Sequence, residues 1–140
     1  GSCPWWELKL DLLLPCSISG LINAEMAEAL QTSAVVPAAN APFQTPQLAD
    51  GLRRRGIRVL PDPLVNAGAV IADSIERFSP EAWRDAGAED VHAFVRREVR
   101  QRAINYLSQR EQGLSVGAAL VEVAAEPSRD PIGLSFGDFE

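Results

Sequence analysis

Short apolar runs alternate with amphipathic segments along the first half of the chain. The runs at residues 10–14, 34–38 and 57–60 have the length of strands, and proline or polar turn residues follow each one. Such runs are typical of strands that are buried on both faces of a sheet. Because segments with helical spacing separate them, the order predicts a parallel sheet of about three strands with crossover helices, which is an α/β fold.

Capping residues mark where the helices between these strands begin and end. Asn23 is expected to cap a short helix through residue 30, with an acidic residue in its first turn. Thr45 as N-cap and Pro46 at the first helical position should begin a second helix, which Gly56 should end. Each predicted helix thus has a residue type that favours its boundary.

The segment after the third run combines a strand end, a turn and a helix start. Pro61 and Pro63 should end the strand, and apolar residues at helical spacing follow from 67 to 78. Asn66 is therefore predicted to be the N-cap of that helix, at the carboxyl end of a strand. Ligands of open α/β sheets bind at such strand ends. Asn66 is a candidate for binding, with a plain N-cap as the alternative.

The second half of the chain carries only helical patterns. Ser79 and Pro80 should begin a short helix, and Gly87 interrupts it. A long amphipathic helix should follow to about residue 110, with Phe94 and Tyr106 alongside an apolar stripe at i, i+4 spacing: Val91, Val95, Val99, Ala103 and Leu107. Ser115 should cap a last helix through about residue 125. Residues 127–140 lack periodicity, which predicts a flexible tail.

Composition and charge narrow the classes of protein. With 140 residues, of which 46% are hydrophobic, the chain is long enough for one core, and we expect one compact unit. A net charge of −6 disfavours a nucleic-acid partner, and the arginine run 53–55 is typical of a helix C-terminus. No apolar run approaches the ~20 residues that span a bilayer, and no signal peptide is evident. We therefore expect a soluble, cytoplasmic protein without a membrane partner.

The first residues and the cysteines add little chemistry. Gly1 and Ser2 resemble a cloning remnant, and residues 1–4 are expected to be a leader outside the fold. Cys3 and Cys16 do not have the spacing of metal ligands. We therefore expect reduced thiols and no metal site.

Three sequence blocks coincide with the predicted strand ends: LDLLLPCSISGLIN at 10–23, AVVPAANAP at 34–42 and RGIRVLPDPLVNAGAVIADSIE at 55–76. In order and spacing they resemble the cofactor domain of the glutamate, leucine, phenylalanine and valine dehydrogenase family. The later helical segments are also similar in length and placement to the family's closing helices. The resemblance covers about residues 5–126. It implies the second half of a Rossmann-like NAD(P)-binding domain at 5–78 and closing helices at 79–126.

The resemblance implies an amino-acid dehydrogenase that uses NAD or NADP to convert an L-amino acid reversibly to a 2-oxo acid. Residue by residue, it places Pro15, Cys16 and Ser17 along the nicotinamide ribose. It places Asn40 at the ribose or carboxamide, and Asn66 at the nicotinamide and the substrate's edge. A carboxamide suits this role because it offers a donor and an acceptor without charge. An ordinary turn residue is the alternative for Asn40, and Cys16 is expected to be a small buried wall.

Two positions depart from the family's pattern. Ala69 stands where the family usually has a glycine, and its methyl would crowd a ligand that approaches closely. Asp73 stands where glutamate-specific members have a serine that helps hold the substrate's distal carboxylate. It follows Asn66 by seven residues and so would lie on nearly the same helical face. Because its charge would repel that carboxylate, we expect a substrate other than glutamate; a solvated surface carboxylate is the alternative.

Other parts of the family's machinery are missing from the sequence. There is no GxGxxG phosphate-binding motif, and the one lysine, Lys9, does not match the family's catalytic lysine. We therefore expect no catalytic residue and no turnover by the chain alone, whether it is a fragment or a short derived gene. A non-catalytic nucleotide-binding or oligomerisation module is the alternative. The first strand should have an unpaired edge, with Trp5 and Trp6 before it as core anchors or contacts, which predicts a homo-oligomer.

Overall fold

A computed structural model describes residues 4–125, and segments 1–3 and 126–140 lie outside the described residues. The predictions for the leader and for the tail at 127–140 therefore stay predictions. The chain divides into two compact units, Gly1–Asn66 and Ala67–Glu140. The expectation of a single unit was wrong, because the C-terminal helices carry buried side chains of their own, including Phe94 and Val123.

A three-stranded parallel sheet forms the centre of the first unit. The strands β1 (Lys9–Leu13), β2 (Gln31–Val35) and β3 (Arg58–Val59) lie in the order β1-β2-β3. Helix α1 (Ala24–Ala29) connects β1 to β2, and helix α2 (Pro46–Arg54) connects β2 to β3. The predicted α/β fold, with three parallel strands and crossover helices, is confirmed.

The second strand begins and ends earlier in the chain than predicted. β2 ends at Val35, and the N–H groups of Ala38 and Ala39 both donate to the carbonyl of Pro15 at 2.9 Å. Pro37 has no N–H and cannot continue a regular ladder. The apolar run that predicted the strand therefore belongs mostly to the segment that follows it.

The core of the first unit combines side chains from the sheet, both helices and the segments next to them. Its buried members are Ile22, Ala27, Leu30, Val35, Ala49, Leu52, Ile57 and Val59. Trp6 packs against this cluster, whereas Trp5 is 37% exposed and meets Trp6 edge-on, with ring centroids 5.5 Å apart. Trp6 is therefore the core anchor of the pair, and Trp5 covers it from outside.

The predicted boundaries of α1 and α2 are confirmed, with one difference at a cap. Asn23 Oδ1 accepts the N–H of Met26 at 2.9 Å, as an N-cap side chain should. Thr45 precedes α2 and Pro46 begins it, but Thr45 makes no side-chain capping bond. Gly56 ends the helix with φ +84, in the left-handed region that favours glycine.

The arginine run after α2 serves the fold of the first unit. Arg53 donates from Nε and Nη2 to the carbonyl of Val59, at 3.3 and 3.1 Å. Arg55 donates to the carbonyls of Ala27 and Leu30, both at 2.7 Å. These are the C-terminal carbonyls of α1, which would otherwise lack partners. Two of the three guanidinium groups are thus committed to main-chain carbonyls, in agreement with a structural rather than a phosphate-binding role.

The segment 61–66 differs most from its prediction. Pro61 precedes a short helix, α3 (Asp62–Val65), which has a second proline in its first turn. Prolines are tolerated there because the first N–H groups of a helix have no intrahelical partner. Asn66 is the C-cap of α3, and its N–H donates to the carbonyl of Asp62 at 3.0 Å. The prediction that Asn66 caps the next helix was wrong, since Ala67 holds that position without a side-chain bond.

The described part of the second unit consists of helices: α4 (Gly68–Phe78), α5 (Pro80–Asp85), α6 (Ala88–Glu111) and α7 (Val116–Ala125). Helix α6 packs against α4 and α7. The approach to α4 is close, because a Cβ on Gly68 would lie 3.2 Å from Cγ1 of Val95. Ser115 Oγ accepts the N–H of Ala118 at 3.1 Å, which confirms the predicted cap of α7.

The apolar residues predicted for α6 include both of its buried side chains. Phe94 and Tyr106, predicted alongside the stripe, are buried, whereas Leu107, a member of the stripe itself, is 38% exposed. An i, i+4 series follows a single face of a helix. Helix α6 contacts both α4 and α7, and its two buried residues lie beside the stripe rather than in it.

Candidate functional site

The carboxyl ends of the three strands carry most of the predicted site residues, and all of these lie in the first unit. Pro15 follows β1, Asn40 follows β2, and Asn66 ends the helix after β3. The carbonyl of Pro15 joins the first two of these segments by accepting two N–H groups of the segment after β2. The sheet thus brings together residues that are far apart in sequence, as parallel topology predicts.

The two predicted site asparagines are in direct contact. Asn66 donates from Nδ2 to Oδ1 of Asn40 at 3.2 Å, across 26 residues of sequence. Asn40 is exposed and Asn66 is partly buried. The Asn66 side chain that was expected to cap a helix therefore bonds to the other candidate residue. We refer to these two side chains as the carboxamide pair.

The residues after β1 differ in exposure. Pro15 is buried, whereas Cys16 and Ser17 are exposed. The Cys16 thiol donates to the carbonyl of Leu14 at 3.2 Å. The expectation that Cys16 forms a small buried wall was wrong, because its side chain lies outside the core and bonds to a local carbonyl. Pro15 supplies the buried apolar surface at this strand end.

A turn at Asn40 and Ala41 holds one member of the carboxamide pair. Ala41 has φ +41, in the left-handed region that alanine rarely adopts. Its N–H donates to Oδ2 of Asp62 at 2.8 Å. Ser19 Oγ donates to the carbonyl of Asn40 at 2.8 Å, and the N–H of Gly20 donates to the carbonyl of Ala41 at 2.8 Å. Side chains and main chain from two other segments thus fix this turn.

The sequence alone did not identify Asp62 or Ser19. Asp62 was visible as the acid between two prolines in the third block, and Ser19 as a hydroxyl in the first. Both are residue types that frequently bond to a nearby backbone in turns. Neither pattern specifies a partner 21 residues away, so the contact became evident only from the fold.

The chemistry of the site is that of neutral hydrogen bonding beside one carboxylate. The carboxamide pair offers donors and acceptors without charge, and the Asp62 carboxylate is engaged by a main-chain N–H. Such a site can orient a carboxamide or a hydroxyl of a ligand. It is poorly suited to bind an anion, since its charged group is negative.

The predicted departures from the family pattern lie in α4, in the second unit. Asp73 and Ala69 are both exposed. The argument that placed Asp73 on one helical face with Asn66 no longer applies, because Asn66 ends α3 and is not part of α4. The exposure of Asp73 is that of a solvated carboxylate.

The described residues contain neither a candidate metal centre nor a membrane-spanning helix. Between residues 4 and 125, no three or more His, Cys, Asp or Glu side chains are grouped so that they could hold a metal ion. None of the helices in that range is both long and apolar enough to cross a membrane.

Similarity to known proteins extends over the described residues. The family described as Glutamate/Leucine/Phenylalanine/Valine dehydrogenase matches residues 2–126. A glutamate dehydrogenase of Thermotoga maritima is 46% identical over 70 residues, which are 50% of this chain and 17% of that protein. The chain therefore spans a small part of the curated relative that it matches.

Solved structures share the fold. An L-tryptophan dehydrogenase from Nostoc punctiforme has a TM-score of 0.68 at 25% identity, over 85% of this chain and 34% of that one. A hetero-hexameric glutamate dehydrogenase from Thermus thermophilus, in its Leu-bound form, has a TM-score of 0.71 at 22% identity, over 85% of this chain and 29% of that one. The second likeness concerns the fold alone. Because the family match includes every described residue, this chain belongs to the glutamate, leucine, phenylalanine and valine dehydrogenase family.

Proposed function

We propose that this chain forms the nicotinamide side of the NAD(P) site of an enzyme that oxidatively deaminates an L-amino acid to a 2-oxo acid. The observation that carries the proposal is the carboxamide pair of Asn40 and Asn66 at the carboxyl ends of parallel strands, where open α/β sheets bind ligands. Family membership supports the class of reaction. A bound nicotinamide would supply the chemistry by accepting a hydride from the amino acid.

The residues present fit a nicotinamide group. Within residues 4–125, the bond between Asn40 and Asn66 is the one side-chain hydrogen bond that either asparagine makes. Nδ2 of Asn40 and Oδ1 of Asn66 are therefore free to act as a donor and an acceptor. A nicotinamide carboxamide also carries a donor N–H group and an acceptor oxygen, so it can bond to both of these atoms. The pair would hold it by amide-to-amide bonding, without placing a charge beside the ring.

The segment after β1 would complete this side of the site. Pro15 is buried at the strand end and would present an apolar edge, while the exposed Cys16 and Ser17 would lie along the ribose. A hydroxyl and a thiol can both donate to sugar oxygens. These three assignments come from the family resemblance, and their place beside the segment after β2 supports them.

The chain would bind and orient the cofactor rather than catalyse the reaction. Its Asp62 carboxylate is engaged by the N–H of Ala41, and its one lysine, Lys9, lies at the amino end of β1, whereas the candidate site lies at the carboxyl ends of the strands. We propose that proton transfer and pyrophosphate binding require other segments of a longer dehydrogenase. Orientation of reactants alone contributes much of the rate in hydride transfer.

Titration with reduced nicotinamide mononucleotide tests the proposal on the chain itself. In the ¹⁵N-labelled chain, the side-chain amide signals of Asn40 and Asn66 should shift saturably as the nucleotide is added. Asn66→Ala removes one hydrogen-bond partner and should weaken binding about five- to tenfold, the value of one net hydrogen bond. Asn40→Ala should have a similar effect.

Matched controls make the titration specific. Asn105→Ala changes an asparagine in α6 of the second unit and should leave the affinity unchanged. Adenosine monophosphate, which lacks the nicotinamide, should not shift the two signals. Absence of any saturable shift in the unsubstituted chain would refute the proposed nicotinamide site and favour a non-catalytic structural module.

The substrate proposal concerns the second unit. Asp73 of α4 stands where, by resemblance, glutamate-specific members have a serine, and its charge would repel a distal carboxylate. In a dehydrogenase that carries this segment, Asp73→Ser should raise kcat/KM for glutamate relative to a neutral amino acid. Asp85→Ser, an exposed acid of the same unit, is the control. A clear preference for glutamate before any substitution would defeat the proposal.

A second proposal, that the chain is a homo-oligomer, rests on the edge of the sheet. Among the described strands β1 pairs with β2 alone, so its other edge is open. Leu12 in β1 and Leu14, which follows the strand, are 48% and 53% exposed. An open strand edge with apolar side chains readily pairs with another chain. We expect two copies to associate through β1.

A further inference from the structure

Asp62 joins two distant parts of the site. Its carboxylate accepts the N–H of Ala41 at 2.8 Å, across 21 residues of sequence. Its main-chain carbonyl accepts the N–H of Asn66 at 3.0 Å. Asp62 is therefore bonded both to the residue that follows Asn40 and to Asn66 itself. It is a direct link between the two segments that carry the carboxamide pair.

The turn that Asp62 holds is a conformation that alanine does not favour. Ala41 has φ +41, where its Cβ crowds the following carbonyl. Such strain persists where the surrounding structure over-determines the backbone, and it is frequent at binding sites. The N–H of Ala41 is held by Asp62, its carbonyl by Gly20, and the carbonyl of Asn40 by Ser19. Asp62 provides the charged member of this set, and charged acceptors make the stronger bonds.

We propose that Asp62 is a positioning residue, whose carboxylate fixes the Asn40–Ala41 turn so that the Asn40 carboxamide faces Asn66. An acid in the first turn of a helix can also be explained by the helix dipole. The dipole does not account for a bond directed at an N–H in another segment, and α3 is only four residues long. The consequence for cofactor binding rests on the proposed function, whereas the positioning of the pair does not.

Amide measurements on the unliganded chain test the positioning. Asp62→Ala removes the acceptor, so the Ala41 N–H should exchange with solvent about tenfold faster. The side-chain amide signals of Asn66 should move toward those of a solvated asparagine. Asp62→Asn keeps an acceptor oxygen and should restore most of both effects. Asp11→Ala, an exposed acid within β1, should change neither signal.

A global loss of stability must be separated from a local release. Exchange at Leu52, which is 1% exposed in the core, reports the whole unit. A purely structural role would accelerate exchange at Ala41 and Leu52 together and leave the folded-state signals of Asn66 in place. If Asp62→Ala does not fold, it is combined with Ala41→Gly, which removes the strained φ without supplying the lost acceptor, and the Asn66 signals then decide.

The outcomes separate this inference from the proposed function. If the exchange rate at Ala41 and the Asn66 signals change no more in Asp62→Ala than in Asp11→Ala, the positioning role is refuted. If those signals change while affinity for reduced nicotinamide mononucleotide does not, the link between positioning and binding is refuted. If the unsubstituted chain shows no affinity but the signals change, the proposed function fails and the positioning role stands.

Discussion

Replacing Ala41 by glycine should stabilise the first unit. Ala41 lies at φ +41, where an L-residue with a Cβ loses about 1–2 kcal/mol relative to the right-handed region. Glycine adopts this region freely. It also raises the conformational entropy of the unfolded chain, which lowers the free energy of unfolding by about 0.4–1 kcal/mol. The difference leaves a net gain of about 0.8 kcal/mol. The methyl group is exposed, so its removal sacrifices little buried surface.

A neighbouring alanine provides the matched control. Ala38 is also exposed and precedes Asn40 in the same loop, but it is not among the described residues with positive φ. Ala38→Gly should therefore destabilise the unit by about 0.4–1 kcal/mol through the unfolded state alone. Two alanine-to-glycine changes, three residues apart, should act with opposite sign.

Amide exchange in the core of the first unit is the appropriate assay. The chain has two compact units, so a single unfolding curve would mix their transitions. Val35 and Leu52 are buried in the first unit and report its opening. Slower exchange at both positions is expected in Ala41→Gly and faster exchange in Ala38→Gly. Equal destabilisation by the two variants would refute the reasoning and show that Ala41 is not strained.

Two further predictions concern a helix cap and the edge of the sheet. Asn23→Ala removes the bond to the N–H of Met26 and should cost about 1 kcal/mol of stability, whereas Thr45→Ala, at a cap without a side-chain bond, should cost a few tenths of a kcal/mol. Amide exchange in the core compares the two variants, and equal losses of stability would contradict the role of the bond. Leu12→Lys should weaken self-association in sedimentation, because a charge at an open edge opposes pairing, while Ile18→Lys outside the strand should not; a monomer before substitution would refute the edge proposal.

The fold could be predicted because its signals are local. The lengths of the apolar runs and the cap at Asn23 are set by residues within a few positions of one another. The position of β2 could not be predicted in the same way, because Gln31 to Ser33 are polar and join the strand through pairing with β1. Pairing across the sheet outweighed the local preference of those residues.

The proximity of the two candidate asparagines could be predicted, but the hydrogen bond between them could not. Asn40 and Asn66 follow strands of a parallel sheet, so their proximity follows from topology. Their hydrogen bond depends on α3, a helix of one turn that two prolines begin. Proline favours both the end of a strand and the start of a helix, and the sequence does not distinguish these. Asp62 was missed for a related reason, since its partner lies in another segment.

The two edges of the sheet are not equivalent, and the difference would limit the size of any assembly that forms through them. At β3 the guanidinium of Arg53 already occupies the carbonyl of Val59, so that end cannot readily accept another chain. At β1 the leucines stay uncovered. Growth into a fibre requires a receptive surface at both ends of every added molecule. If copies associate through β1 as proposed, each offers one receptive edge, so two molecules joined at their β1 edges would use both and growth would stop at a closed dimer.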